Sequence, residues 1–168
     1  MTLMKKIIKE IVPYIVIIVL VVLIRIYLVT PVVVSGNSME PTLKSRELLL
    51  LSKINYKVTD IKRFDIVVIR IDDKEIIKRV IGLPGETVLY RSNKLYIDGH
   101  ELENDYNFDT EDFALKTICD CERIPEDKYL VLGDNRSISA DSRTYGLIDK
   151  SEIEGNVVFS LWPIKLVK

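Results

Sequence analysis

An uncharged run near the N-terminus, from Ile11 to Ile24, is the feature that most restricts how this chain can fold. Together with the apolar residues on either side, the run is long enough to cross a bilayer as a single helix. Arg25 interrupts the apolar zone, but an arginine near a helix end can extend its guanidinium to the membrane interface. The sequence therefore predicts a membrane-spanning anchor within residues 1–30 and a separate domain over residues 31–168.

The placement of lysines predicts which way this anchor points. Lys5, Lys6 and Lys9 precede the apolar run, whereas residues 26–43 contain no lysine or arginine. The positive-inside rule then places the N-terminus in the cytoplasm and the domain on the extracytoplasmic side. A cleaved secretory signal would end in small residues. Because the apolar zone ends instead in bulky residues, Val29-Thr30-Pro31-Val32-Val33-Val34, a retained anchor is favoured.

The remainder of the chain predicts a mainly β fold. Its apolar segments are short and rich in β-branched and aromatic residues, which is typical of strands. No long amphipathic helical pattern follows residue 31, and Asp98-Gly99 is a strong signal for a tight hairpin turn. The predicted strands are 48–51, 65–71, 75–81, 87–90, 94–97, 129–132 and 156–162.

Length and charge narrow the possible functions. The chain has 168 residues, which after an anchor is enough for one sizeable core and one soluble domain. Its net charge of −1 provides no basic field, so nucleic acid is not an expected partner. Residues 101–127 carry ten acidic side chains against two basic ones. A solvated surface insertion is favoured there over a docking site for a basic partner.

The two cysteines, Cys119 and Cys121, are only two residues apart. In an extended segment this spacing puts their Cα atoms near the upper limit for a disulfide, so free thiols are favoured over a bridge. A metal site would need more ligands than the single histidine, His100, can add. We therefore expect no metal and no other cofactor.

Three motifs carry the chemistry: SGNSMEPTL around Ser38, KRVIGLPGE beginning at Lys78, and GDNRSISADSR from Gly133 to Arg143. A serine hydroxyl is a poor nucleophile until a base removes its proton, and a lysine can do so only as the neutral amine. Burial favours that neutral form. Because Pro41 follows Ser38 closely, the segment cannot be a helix interior and is interpreted as an exposed turn or strand end.

Strand alternation places Lys78 on the same face as Ile76 and Val80. An ammonium group on an apolar face is unfavourable unless it reaches water or gives up its proton. The residues by themselves leave both alternatives open, a lysine that extends to solvent or a neutral base.

In this order, and behind one apolar segment, the three motifs closely resemble the type I signal peptidases of bacteria, over most of the chain up to about Gly146. The resemblance implies a partly barrel-like core of antiparallel sheets, preceded by one transmembrane helix. It also implies a membrane-anchored serine endopeptidase that cleaves signal peptides from exported preproteins after small residues of the Ala-x-Ala kind. Signal peptides and the lipid bilayer are then the expected partners.

The resemblance also implies residue roles. The family uses a Ser/Lys dyad, and the matching residues are Ser38 as nucleophile and Lys78 as base. Ser139 matches the serine whose hydroxyl orients the lysine. Gly36 stands where one branch of the family has an oxyanion-binding serine, so the Ser38 N–H would need a second donor from elsewhere. Glycine at this position, a short chain and a single anchor are typical of the Gram-positive branch.

Two supporting ion pairs follow from the same match, Asp141 with Arg143 and Asp134 with Arg79. Shallow apolar pockets in the family accept alanine and exclude larger side chains by steric overlap. Taken alone, each matching residue here is an ordinary core residue. The matching residues are Val34, Gly36, Met39, Leu43, Ile76 and Ile77.

Two other functions fit parts of the pattern. A self-cleaving repressor of the LexA type resembles this fold and uses the same dyad, but it carries a DNA-binding module where this chain has its predicted anchor. A catalytically silent, anchored β-domain that binds exported chains would be expected to lack Ser38 or Lys78. Both residues are present.

Overall fold

The structure is a computed structural model that describes residues 2–27, 29–53, 60–103, 106 and 108–167. Helix α1 is Thr2–Tyr27, and its side chains are described for residues 9–22. The side chains of Lys5, Lys6 and Arg25, on which part of the anchor prediction depends, lie outside the described residues. Within the described part of the chain, no helix has both the length and the apolar character needed to cross a membrane.

The rest of the described chain is mainly β, as predicted, and its two further α-helices are each a single turn, α2 (Leu115–Cys119) and α3 (Ser142–Tyr145). Every predicted strand segment contains a strand. The strands are β1 (Val29–Val33), β2 (Leu48–Ser52), β3 (Ile66–Ile71), β4 (Lys74–Gly82), β5 (Val88–Arg91), β6 (Lys94–Ile97), β7 (His100–Glu101), β8 (Phe113–Ala114), β9 (Lys128–Leu132), β10 (Ile148–Asp149), β11 (Ile153–Trp162) and β12 (Ile164–Leu166).

Two antiparallel sheets organise these strands. The larger sheet has the order β1, β2, β11, β3, β4, β9, β10, and β12 pairs with β11. The smaller sheet has the order β7, β6, β5, β8. The hairpin between β6 and β7 turns at Asp98 and Gly99, which both have positive φ, as the sequence predicted.

Strand β1 begins within the apolar N-terminal zone. Residues 29–33 pair with β2, from Val29 opposite Ser52 to Val33 opposite Leu48, so the sheet begins before residue 31. Pro31 cannot continue a helix, and β-branched valines suit a half-buried sheet. The valines that follow α1 therefore belong to the folded domain.

Strand β4 is the central element of the core. It contacts three apolar clusters, through Ile77, Val80 and Ile81 respectively. β3 pairs along one edge of β4 and β9 along the other, and the second half of the strand is buried on both faces. Any polar side chain in that half is therefore removed from water, and the sequence puts Lys78 and Arg79 there.

The acidic insertion is partly folded into the core. It supplies β7, β8 and α2, and Leu115 and Ile124 are buried beside the smaller sheet. Cys119 and Cys121 form a disulfide, so the expectation of free thiols is wrong. That expectation assumed an extended segment, whereas Asp120 caps α2 with a left-handed conformation and the Cα atoms of the two cysteines are 5.1 Å apart. Residues 104, 105 and 107 of the insertion lie outside the described residues.

Candidate active site

Ser38 lies on a loop that connects β1 and β2. The loop is closed at its base by two backbone hydrogen bonds, from the Val34 N–H to the Glu47 carbonyl and from the Arg46 N–H to the Val34 carbonyl, both 2.9 Å long. Met39 and Leu43 are buried below it and hold it against the core. The hydroxyl of Ser38 is therefore presented on a turn, as the sequence predicted, with a fixed backbone underneath.

Lys78 approaches this turn from β4. Its Nζ is 2.9 Å from Ser38 Oγ, although the two residues are forty positions apart in the chain. The Lys78 side chain is almost fully buried, and this burial lowers its pKa from 10.5 to about 8. The negative charge of Asp141 opposes the shift, and the positive charge of Arg143 adds to it. An amine that has a lowered pKa and lies within hydrogen-bond distance of a hydroxyl is the arrangement that activates a serine.

The third motif packs against the turn through its backbone. The Asn135 N–H donates to the Ser38 carbonyl over 3.0 Å, and the Asn135 carbonyl accepts from the Ser139 N–H over 3.1 Å. A Cβ atom at Gly133 would lie 2.6 Å from the Ser38 carbonyl oxygen and 2.1 Å from Ser139 Oγ. Only glycine fits between the two serines.

Both predicted ion pairs are formed. Arg79 contacts Asp134 through Nε and Nη2 at 2.9 and 2.7 Å, and both side chains are fully buried. Arg143 makes two contacts of 2.9 Å with Asp141, whose Oδ2 also accepts from the Gly133 N–H at 3.0 Å. The Arg79–Asp134 pair fixes the third motif against β4, and the Asp141–Arg143 pair holds the motif's own turn together.

Ser139 lies beside the dyad, but its hydroxyl is not bonded to Lys78. Its Oγ is buried and has no hydrogen-bond partner among the described residues. The orienting hydrogen bond that the family match implies is not made in this structure.

A small cavity of about 100 Å³ opens next to the dyad between β1, the Ser38 turn and β4. Of the residues predicted for substrate pockets, Val34, Met39, Ile76 and Ile77 line it, and Leu43 and Gly36 do not. The lining also includes Val32, Val33, Ser35, Ser38, Glu75 and Lys78.

The two predicted residues that do not line the cavity have other surroundings. Leu43 is fully buried in the core cluster under the loop. Gly36 has a φ of +89° with open space around its Cβ position, so its backbone conformation accounts for the glycine.

The sequence interpretation missed two residues near the site, Asn135 and Arg136. Both lie inside the third motif, where neither the Asn135 amide nor the Arg136 charge indicated its partners. Thr110, which contacts Arg136, lies in the acidic insertion and offered no signal at all. Across the residues described, no group of three or more histidine, cysteine, aspartate or glutamate side chains is arranged to hold a metal ion.

A family model described as "Signal peptidase, peptidase S26" matches residues 5–162. The chain belongs to this peptidase family. It is similar to signal peptidase I of Bacillus caldolyticus, with 38% identity over 91% of this chain and 90% of that protein. It is also similar to signal peptidase IB of Staphylococcus aureus, with 37% identity over 84% of this chain and 82% of that protein.

Among solved structures, a crystal structure of a signal peptidase I from Enterococcus faecalis is similar, with 39% identity and a TM-score of 0.55. The similarity covers 59% of this chain and 97% of the solved chain. The peptidase S26 membership makes this chain a hydrolase and a serine peptidase of the Ser/Lys type. The fold agrees, because the described chain is built of antiparallel sheets.

Proposed function

We propose that this peptidase cleaves signal peptides from exported preproteins, with Ser38 as the nucleophile and Lys78 as the general base. The observation that carries the proposal is the 2.9 Å contact between Lys78 Nζ and Ser38 Oγ. A lysine in water would be an ammonium group with no capacity to accept the serine proton. Burial of Lys78 lowers its pKa to about 8, so a useful fraction is neutral near physiological pH.

In the proposed reaction, neutral Lys78 takes the proton of Ser38 as Oγ attacks the scissile carbonyl carbon. The resulting ammonium group then donates this proton to the leaving amine, and the C–N bond breaks. An acyl-enzyme ester on Ser38 remains, together with neutral Lys78. A water molecule then attacks the ester carbonyl carbon as Lys78 takes its proton. The bond to Ser38 Oγ breaks, Lys78 returns the proton to Oγ, and the signal peptide leaves with a free carboxylate.

The backbone supplies one donor for the oxyanion. The Ser38 N–H makes no hydrogen bond within the described part of the chain, so it is available to the developing negative charge. Gly36 lies two residues earlier and has no hydroxyl to add. The second donor is proposed to be a water molecule or a further N–H.

The cavity beside the dyad supports a preference for small residues before the cut. Its volume is about 100 Å³, and Val34, Met39, Ile76 and Ile77 form its apolar walls. The walls belong to the core, so they cannot move apart without loss of packing. We propose that the cavity accepts an alanine-sized side chain, and that Leu43 acts only by supporting Met39 from below.

We further propose that α1 anchors the protein in the membrane as a single-pass helix, with its N-terminus in the cytoplasm. The described side chains from Ile11 to Val22 are apolar apart from the hydroxyl of Tyr14, and all are exposed. An exposed apolar helix surface needs a non-aqueous surrounding. Three lysines precede it and none follows until Lys44.

The test uses the full chain, purified in detergent and incubated with a preprotein whose signal peptide ends in Ala-x-Ala. Mass spectrometry of the product should show a new N-terminus directly after the second alanine. Ser38→Ala and Lys78→Met should each give no product, and His100→Ala, an exposed site outside the motifs, should cleave at the wild-type rate. Binding of the preprotein without cleavage by the wild-type chain would favour the silent β-domain instead.

A further inference from the structure

A second and larger cavity, of about 400 Å³, lies on the other side of the third motif. Arg136 and Ser139 line it together with Thr110 and Arg143. It shares no lining residue with the apolar cavity beside the dyad. Its chemistry also differs, since guanidinium and hydroxyl groups replace aliphatic side chains.

Arg136 is a buried charge whose hydrogen-bonding capacity is only partly used. It is 4% exposed. Its Nε donates to the Gly133 carbonyl over 2.9 Å and its Nη1 to Thr110 Oγ1, while Nη2 has no partner. Among the described residues, no carboxylate forms an ion pair with it, because the neighbouring Asp134 and Asp141 pair with other arginines.

The burial of such an arginine costs free energy. A buried cation without a counterion loses its hydration and gains no ion pair in return. The rings of Tyr90 and Phe108, 5.2 and 5.5 Å from its Cζ atom, compensate only in part. Ser139 Oγ is a second buried group that lines the same cavity without a partner. Two unused donors on one cavity wall indicate a ligand that brings acceptor oxygens.

The cavity is adjacent to the reacting serine. Gly133 lies between Ser38 and Ser139, which lines the cavity. A Cβ atom at Gly133 would be 2.6 Å from the Ser38 carbonyl oxygen and 2.1 Å from Ser139 Oγ. In a bound peptide, the residues before the cut fill the apolar cavity and the chain then passes Ser38. The residues after the cut therefore reach the cavity on the Ser139 side. Each residue of an extended peptide advances about 3.3 Å, so about four residues cover about 13 Å.

We infer that this cavity binds the first residues of the mature chain, and that Arg136 Nη2 recognises a substrate carboxylate, from an aspartate or glutamate within about four positions after the cut. The inference rests on the proposed function and adds a specificity site on the opposite side of the scissile bond. Arg136 is then a specificity-determining residue that takes no part in the proton transfer.

Two acidic side chains at the same cavity repel a substrate carboxylate. Asp109 and Glu111 are exposed lining residues, so solvent and salt screen their charges. The charge of Arg136 is buried and is screened much less. A substrate carboxylate that reaches the guanidinium therefore gains more from Arg136 than it loses to the two acidic side chains at the rim.

The experiment uses the detergent-solubilised wild-type chain and one preprotein-derived peptide with glutamine at each of the four positions after the cut. Four further peptides carry a single Gln→Glu change, and four a Gln→Lys change. At one position, glutamate should raise kcat/KM by at least about tenfold, mainly through KM. A Glu/Gln ratio near one at all four positions, or a preference for lysine, overturns the inference.

Variants assign the preference to this cavity. Arg136→Gln should reduce the Glu/Gln ratio to about one, and Arg123→Gln, at an exposed arginine that pairs with Asp98 elsewhere, should keep it. The ratio compares kcat/KM for two peptides with the same variant, so a general loss of activity in that variant does not affect it. Should Arg136→Gln not fold, Ser137→Glu puts a competing carboxylate on an exposed lining residue and should lower the ratio at least about threefold.

A preference that is unchanged in these variants would also overturn the inference. Cleavage of all peptides at equal rates would leave the proposed function intact. If no peptide is cleaved, the proposed function fails and the inference fails with it.

Discussion

Lys78 shows how a single residue acquires chemistry from its surroundings. On β4 it is paired opposite Val67 of β3, and the next residue, Arg79, is opposite Leu132 of β9. Strands on both sides exclude water from its amine, and desolvation disfavours the charged form. The negative charges of Asp141 and Asp134 raise the pKa of Lys78, but each aspartate is paired with an arginine, whose positive charge offsets this effect. The net result is a lysine with a pKa of about 8.

This pKa fixes the direction of the pH profile. The proposed base is the neutral amine of Lys78, which predominates above the pKa, so kcat/KM should rise with pH through about 8 and decline toward acid with a slope of one. Steady-state assays between about pH 6 and pH 10 on a peptide without titratable side chains would measure it. A maximum on the acidic side of neutrality would rule out Lys78 as the base.

Lys78→Arg should be inactive, because a guanidinium group stays protonated at every pH at which the protein is folded. Loss of activity should exceed about a thousandfold, since nucleophile and base act as one unit. Circular dichroism should show an intact fold. The matched control is Lys74→Arg, at an exposed position on the same strand, which should retain activity. Measurable cleavage by Lys78→Arg would contradict the dyad.

At the scale of elements, strand β12 supports the loop that carries the proposed nucleophile, Ser38. Lys165 on β12 donates from Nζ to the Thr42 carbonyl over 2.9 Å. The same Nζ is 3.0 and 2.9 Å from the two carboxylate oxygens of Glu47, whose side chain is largely buried. One lysine thus connects the middle of the loop to its base, next to the point where Val34 and Glu47 close it.

Lys165→Met should therefore lower kcat about tenfold with little change in KM, because the loop keeps its place but positions Ser38 less well. Lys128→Met is the matched control: Lys128 pairs with Asp149, and both lysine side chains are 35% exposed. Lys165→Met should lose more thermal stability than Lys128→Met, because it leaves the largely buried Glu47 without its ion pair, whereas Asp149 is half exposed. In assays well below both melting temperatures, only Lys165→Met should lose turnover. Equal kcat values in the two variants would show that Lys165 has no positioning role.

At the scale of the whole molecule, the described side chains of α1 take no part in the three core clusters. α1 contacts β1, the strand that directly follows it. Its described side chains from residue 11 to residue 22 are exposed, so the core does not depend on them. The domain core consists instead of three clusters joined by β4.

Deletion of residues 2–27 should leave the melting temperature of the domain within about 2 °C of the full chain, because few buried contacts are lost. In a flotation assay with phospholipid vesicles, the full chain should rise with the lipid and the deletion variant should stay in the dense fraction. A full chain that stays with the soluble fraction would contradict the proposed anchor. Unfolding of the deletion variant would instead show that α1 is part of the domain.

Much of this protein is readable from local patterns in its sequence. Short β-branched segments predicted the principal strands, and Asp98-Gly99 predicted a hairpin, because alternation and turn preferences act over a few residues. The three motifs indicated the family, and the structure brings Ser38 and Lys78 together. The short strands β8, β10 and β12 escaped prediction, since two or three residues carry too little pattern.

Only the tertiary structure decided the properties that depend on distant contacts. The pKa of Lys78 follows from burial by strands on both sides of it, and the support of the Ser38 loop by Lys165 joins residues 118 positions apart. The disulfide required a left-handed residue that its spacing did not reveal. Arg136 looked like any charged turn residue until its burial left one nitrogen without a partner. Desolvation and pairing depend on the whole fold, so no local pattern contains them.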